Sequence, residues 1–293
     1  MNQLHIAIKK KTKVTKALES LYDVTYYKEQ SLWEKLCFKQ KHYPDIYFLQ
    51  GGITTEVLEF VENSKLTIVT SKKIKKMIMD KKSYLNDKKI EVIYPYLTNK
   101  LEFDKSVKEE FRKKHSIEKE DVVLFFSAKD IIKNGIDKFI EIVLDLENKN
   151  YQLLFDITSK DKELLSRKLK KARVFEKSLI FADYENKDEL FMVGDIFILP
   201  AKLKLFNLAV LKAMYLKNVV FVERDNASSE LIDSFSLILG EDDRGVSFKI
   251  DSLLKNEKER KKIQKENSLI VKDMKFDRYM KELQNNIRFH FDF

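Results

Sequence analysis

The chain has 293 residues, 44% of them hydrophobic and 35% charged, with 56 Lys and Arg against 47 Asp and Glu. That composition excludes a disordered chain, and the length allows two hydrophobic cores and so two domains. The single cysteine, Cys37, excludes an internal disulfide and suits a reducing compartment, and no stretch reaches the roughly 18 apolar residues of a membrane-spanning helix.

The opening, MNQLHIAIKKKTK, places its apolar residues ahead of its lysines and is too short for a signal peptide, so a cytoplasmic location is expected. Short β-rich runs at 4–8, 23–27, 45–49, 66–70 and 91–95 alternate with helix-period segments at 13–21, 32–39, 55–62 and 71–82. Strands separated by helices predict a parallel, doubly wound sheet, here an N-terminal Rossmann-like α/β domain over residues 1–100. Residues 1–120 hold 25 Lys and Arg against 17 Asp and Glu, whereas the remainder holds 31 against 30. The densest stretch is KKIKKMIMDKK, Lys72 to Lys82, in which Ile74, Met77 and Ile78 share a helical face. Such a helix is either a solvated face or a peripheral contact with an anionic, inner-membrane surface. Nucleic acid is set aside as a partner, because no aromatic-and-basic recognition motif accompanies the charge.

Residues 98–120 are polar and partly helical, as an interdomain connection would be. A second α/β series then starts, with strands expected at 122–128, 151–157, 178–182, 195–200, 218–223 and 235–239. Its helices are expected at 135–147, 161–172, 187–193, 206–216 and 256–267, while GEDDRG (240–245) reads as a turn. This second domain is bounded at 101–273, and 274–293 is a closing segment whose helix, at 276–288, is open to packing back on the first domain. Open parallel sheets bind ligands beyond the carboxyl ends of their strands, so two of them face to face would frame a cleft. The four histidines and one cysteine show no metal-ligand spacing, and P-loop and nucleophile-elbow motifs are absent, so no metal is expected.

Several segments, taken in order, resemble one family. YPDIYFLQGG (43–52) resembles its first-domain Pro-Asp strand. LTIVTS (66–71), with the helix after it, resembles the segment that approaches its second domain, and KKIEVIYPYLT (88–98) resembles its strand leading into the linker. DVVLFFSAKDIIKNGIDKFIEIV (121–143) resembles the strand, basic phosphate-binding turn and helix that open its donor domain. GDIFILPAKLKLFNLAVLKAM (194–214) and NVVFVERDNASSELI (218–232) resemble the strand–loop–helix core and the loop with its glutamate. Over about 43–270 the chain thus resembles the retaining glycosyltransferases of the GT-B fold, family 4 type.

The resemblance implies two Rossmann-type doubly wound domains facing a cleft, the first one reduced. It also implies transfer of a sugar, with retention, from a nucleotide-diphosphate sugar to a glycan, lipid-linked or protein acceptor. A leaving diphosphate calls for cations and helix N-terminal amides. Lys129 stands where the family carries a phosphate-binding arginine, with Lys133 beside the second basic position, held here by Asn134. Phe206, Asn207, Leu208 and Glu230 fall in the donor loop and its neighbour, and Gly51 and Gly52 in the first-domain cleft strand, preceded by Gln50 where a histidine is frequent. The family's two glutamates, which accept from the sugar and the ribose, are replaced by Lys204 and Lys212. Lysine donates and cannot accept, so neither role transfers directly. Leu205 and Asn207 replace glycines, and the KKKTK loop (9–13) lacks the usual glycine turn. Two readings stay open. In one, Lys204 is a candidate catalytic or donor-binding group for a sugar carrying its own carboxylate. In the other, the chain is a catalytically silent relative that serves as a binding partner or chaperone subunit of an active transferase, or as a homo-oligomer.

Overall fold

A computed structural model describes residues 2–28, 42–98, 100–240 and 242–291. Cys37 and the helix expected over 32–39 lie outside the described residues. The chain forms two compact units, Met1–Tyr96 together with Met274–Phe293, and Leu97–Asp273.

The first unit contains β1 (Gln3–Ala7), α1 (Lys13–Glu19), β2 (Asp23–Tyr26), β3 (Ile46–Phe48), α2 (Thr55–Asn63), β4 (Leu66–Val69), α3 (Lys72–Lys81) and β5 (Ile90–Val92). Its strands are all parallel, in the order β2-β1-β3-β4-β5. A hydroxyl residue opens each of α1, α2 and α3: Thr12, Thr54 and Ser71 accept the free N–H groups of Val14, Val57 and Ile74. The C-terminal helix, Phe276–Phe291, belongs to this unit. Phe276, Met280, Leu283 and Ile287, spaced at helical period, enter the core beside Leu4, Ile6, Ile46 and Ile68.

Helix α3 gives the membrane expectation no support. Ile74 and Ile78 are buried with Val61, Val69 and Ile90, and of the three apolar residues only Met77 is exposed. The face that would enter a lipid surface is spent on the protein's own core, and Lys75 and Lys76 pair with Asp87 and Asp80. None of the helices formed by the described residues is long and apolar enough to cross a membrane.

The second unit contains α4 (Lys105–Lys114), β6 (Val122–Ser127), α5 (Ile136–Leu144), β7 (Tyr151–Ile157), α6 (Ser159–Lys171), β8 (Ser178–Ala182) and α7 (Lys187–Val193). It continues with β9 (Ile196–Leu199), α8 (Leu208–Tyr215), β10 (Val219–Glu223), β11 (Leu237–Ile238), α9 (Gly245–Lys255) and α10 (Glu257–Val271). The sheet order is β11-β10-β9-β6-β7-β8, again all parallel. Both faces are covered, which is why its strands read as continuous apolar runs. Phe126 meets Phe139 and Phe155 on one face, while Phe125 meets Phe191 and Phe197 on the other. Burying each such ring contributes about 1.5–3 kcal/mol.

Three local expectations change. The sequence pattern assigns no element to 245–255, yet α9 forms there, with Val246, Ile250, Leu253 and Leu254 buried at helical spacing. Asp243 accepts from the N–H groups of Leu239 and Gly245, closing the turn that starts it. Strand β11 is two residues long, because Asp233 caps a 3-10 turn over Ser234–Ser236. Helix α8 begins at Leu208 rather than at Phe206, because the Asn207 side chain accepts the Ala209 N–H and sets the N-cap.

Candidate functional site

In a doubly wound sheet the ligand crevice opens where the winding reverses, beyond the carboxyl ends of the strands. In the second sheet that point lies between β6 and β9, so the loops after those strands, 128–135 and 200–207, form its walls. Gly135 ends the first loop with φ +83°, and a Cβ there would stand 2.4 Å from the Pro200 carbonyl oxygen. Only glycine allows this approach, and it pins one loop against the other.

The loop after β9 is also stitched to the loop after β10. Asn226 Nδ2 donates to the Ala201 carbonyl at 2.8 Å, the Ala227 N–H to the Leu203 carbonyl at 2.8 Å, and the Asn207 N–H to Ser228 Oγ at 2.8 Å. Asn226 and Ser228 are fully buried, so these bonds are shielded from competing water. In the loop after β6, Asp130 accepts from the Lys133 N–H at 3.1 Å, and the buried Asp161 from the Ile131 N–H at 3.2 Å. The Lys133 N–H, and then the Lys133 ammonium, hold the Asp130 carboxyl below its ordinary value.

Between these loops lies a cavity of about 290 Å³ lined by Lys133, Lys138, Lys202, Gly135, Pro200 and Glu223. Three cations therefore face one buried carboxylate, Glu223, which accepts from the Asp225 N–H. Lys133 pairs with Asp130 at 3.3 Å on the surface, and Lys138 with Glu141 at 2.7 Å. An exposed pair such as the first is worth about 0.2–1 kcal/mol, so Lys133 can turn to an incoming anion at little cost.

Of the expected site residues, the structure places Lys133 alone on this cavity. Lys133 lines the cavity, while Lys129 is exposed on the same loop and does not. Lys204 and Leu208 are exposed, and Phe206 and Asn207 are half-buried. Lys212 is held by the carboxylate of Asp188 on α7, with its ammonium 5.3 Å from the centre of the Phe191 ring. Glu230 is half-buried in the 3-10 turn Ala227–Leu231. Lys138, Lys202, Asp188, Asn226 and Ser228 are missed by reasoning from sequence. A signal existed for Asn226, since Asn-x-Ser at a strand exit is a side-chain-capped turn.

The first unit repeats the pattern at its own reversal, between β1 and β3. The Lys9 N–H donates to Gln50 Oε1 at 3.2 Å, and a Cβ on Gly51 would meet Lys9 Nζ at 2.9 Å, whereas Gly52 borders open space. Gly52 lines a cavity of about 410 Å³ walled by Tyr27, Tyr47 and Phe60. Burial, aided by the Glu56 charge, pushes the Tyr47 hydroxyl up to about 12, so it is a neutral donor at any physiological pH. Among the described residues no three His, Cys, Asp or Glu side chains are grouped to hold a metal.

A family model described as "Glycosyl transferases group 1" matches residues 107–268. No curated protein sequence matches the chain. Among solved structures, Anabaena HepE in complex with UDP superposes with a TM-score of 0.76 at 11% identity, over 98% of this chain and 99% of that one. WaaG, a glycosyltransferase involved in lipopolysaccharide biosynthesis, gives 0.67 at 12% identity over 95% and 98%. A Rickettsia africae glycosyltransferase gives 0.74 at 12% over 99% of this chain and 77% of that one. At such identities the likeness is one of fold: two parallel-sheet Rossmann-like domains of the GT-B type.

Proposed function

Because the chain belongs to the glycosyl transferases group 1, we propose that it moves a sugar, with retention, from a nucleotide-diphosphate sugar to a glycan, lipid-linked or protein acceptor. One observation carries this reading: two loops locked together at the reversal of the second sheet, over a cavity where Lys133, Lys138 and Lys202 converge. A departing diphosphate needs fixed positive charge, and lysine supplies it as a point charge. Lys129 approaches the same anion from the loop rim. HepE has been solved with UDP and with UDP-glucose, which supports UDP as the first nucleotide to try. No metal enters the scheme, since the lysines do the neutralising.

Lys204, exposed in the facing loop after β9, favours a donor whose sugar bears a carboxylate. Uridine diphosphate glucuronate should then bind more tightly than UDP-glucose, and Lys204→Glu should reverse the order. The primary test is thermal melting with UDP and other nucleoside diphosphates. A rise in Tm that is lost in the Lys129→Ala, Lys133→Ala double variant supports the site, and no rise with any nucleotide rejects it. A second reading, a silent partner of an active transferase, is favoured by one observation: Lys212 is already bound to Asp188. Nucleotide binding without turnover of any donor, together with co-purification with a second transferase, would decide for it.

A further inference from the structure

A cavity of about 740 Å³ in the second unit lies at the opposite end of its sheet from the loops described above. Its floor is made by residues that precede strands: Asp121 before β6, Asp195 before β9 and Lys217 before β10. Its walls are α4 and α10. Eight cationic side chains and four carboxylates line it.

The pairing inside the groove shows which charges are spent. Asp195 takes Lys108 at 2.7 Å and Arg112 at 3.6 Å, and also accepts the Val123 N–H at 2.9 Å. Lys105 pairs with Glu109 at 2.7 Å, and Lys261 with Glu257 at 2.6 Å, each within one helix. Arg260 donates to the Leu253 carbonyl. Lys119, Lys217 and Lys265 are left: all three are exposed, and none has a carboxylate within 4.0 Å among the described residues.

Lys217 stands out from the other two. It takes the left-handed conformation that ends helix α8, φ +63°, with the Asn218 N–H donating back to the Ala213 carbonyl, and its ammonium lies 4.2 Å from the centre of the Phe103 ring. A cation anchored over a ring at a closed helix end is already ordered for a ligand.

We propose that this groove is a second anion site, built for a flexible chain carrying closely spaced phosphates and engaged by Lys119, Lys217 and Lys265. A groove of this volume takes a ligand segment rather than a single ion. Lysines without planar forks suit phosphates approached from many directions. Single-stranded nucleic acid is disfavoured, because it needs aromatic faces for its bases and the one lining ring, Phe103, is covered by Lys217. The groove lies on the amino-end side of the strands, so a chain held there leaves the carboxyl-end cavity free.

The test uses the full chain and linear inorganic polyphosphate of about ten units, titrated at several salt concentrations. The triple variant Lys119→Glu, Lys217→Glu, Lys265→Glu should weaken binding at least tenfold. It should also flatten the salt dependence by about 0.7–0.9 in slope for each phosphate no longer neutralised. Lys217→Gly alone should weaken binding several-fold while melting at or above the parent temperature, which separates removal of the cation from any damage to the fold. The Lys129→Ala, Lys133→Ala pair should leave polyphosphate binding unchanged even where it abolishes the UDP shift, so the two sites fail independently. Unchanged binding by the triple variant would overturn the proposal. So would equally tight binding of a ten-nucleotide oligothymidylate that the triple variant also loses.

Discussion

Replacing Gly135 by alanine tests whether the contact between the two loops positions the nucleotide. The added Cβ would sit 2.4 Å from the Pro200 carbonyl oxygen and 3.0 Å from its carbon, at a φ of +83°. The left-handed backbone costs an alanine about 1–2 kcal/mol. Relieving the overlap costs about 1–3 kcal/mol more and draws the loops apart by roughly 1 Å. At about 2–4 °C per kcal/mol in a unit of this size, Tm should fall by roughly 10 °C. A displacement of that order also costs about 100-fold where a site depends on placement. UDP at 100 times its parent Kd adds about 2.7 kcal/mol to the parent, and at the same concentration would add about 0.4 kcal/mol to the variant. The assay is the melting temperature with and without UDP. Gly194→Ala is the control, since its Cβ would meet Asn218 Oδ1 at 2.3 Å at the other end of the sheet. That variant should lose stability comparably and keep the UDP increment. A full UDP increment in Gly135→Ala, or its equal loss in Gly194→Ala, would refute the reasoning.

Asn226→Ala removes the donor to the Ala201 carbonyl and the acceptor of the Ser228 N–H, both buried, so it should cost about 1–3 kcal/mol and most of the UDP increment, both read by melting. Asp195 gives a pH prediction. Burial pushes its carboxyl up, but Lys108 and the Val123 N–H outweigh burial and hold it below its ordinary value of 3.8. A depressed carboxyl stabilises the fold above that value and stops doing so as pH falls through the lower, folded one. Asp195→Asn should therefore be less stable by about 3 kcal/mol at pH 7, and the gap should close below about pH 4 in acid titrations followed by circular dichroism. Lys212→Ala breaks a half-exposed pair with Asp188 and should cost under about 1 kcal/mol in denaturant melts; a larger loss would make Lys212 a structural residue.

The alternation of apolar runs and helix-period segments located most strands to within a residue or two, because strands buried on both faces are continuous in sequence. Helix α9 escaped because its apolar residues follow an acidic turn that reads as a loop, although Val246, Ile250 and Leu253 carried the period. The amphipathic pattern of 72–82 was right about the helix and silent about its partner, since a sequence does not say whether an apolar face meets lipid or a neighbouring strand. Lys133 could be singled out from one loop, and the structure sets it on the lining of a cavity. Site residues were illegible where the chain supplies a partner from afar: Asp188 lies 24 positions from Lys212, and Asn226 lies 25 from Ala201. No local pattern encodes such pairs.

That distance changes what the two lysines mean. In sequence Lys204 and Lys212 are equivalent inversions, each a donor where an acceptor is expected. In the structure they part. Lys212 is neutralised by Asp188, so that position presents an ammonium and a carboxylate together, held by one helix against its neighbour. Lys204 has no carboxylate within 4.0 Å among the described residues and stays exposed. An uncompensated cation at a loop rim attracts anions and repels the positive charge that develops at a sugar carbon during transfer. Under the proposed donor site, the ion-paired lysine should tolerate any nucleotide sugar, and the unpaired one should favour a donor that brings its own negative charge. Of the two, Lys204 is the residue whose replacement should change which sugar is taken, and Lys212 the one whose replacement should change how tightly the nucleotide is held.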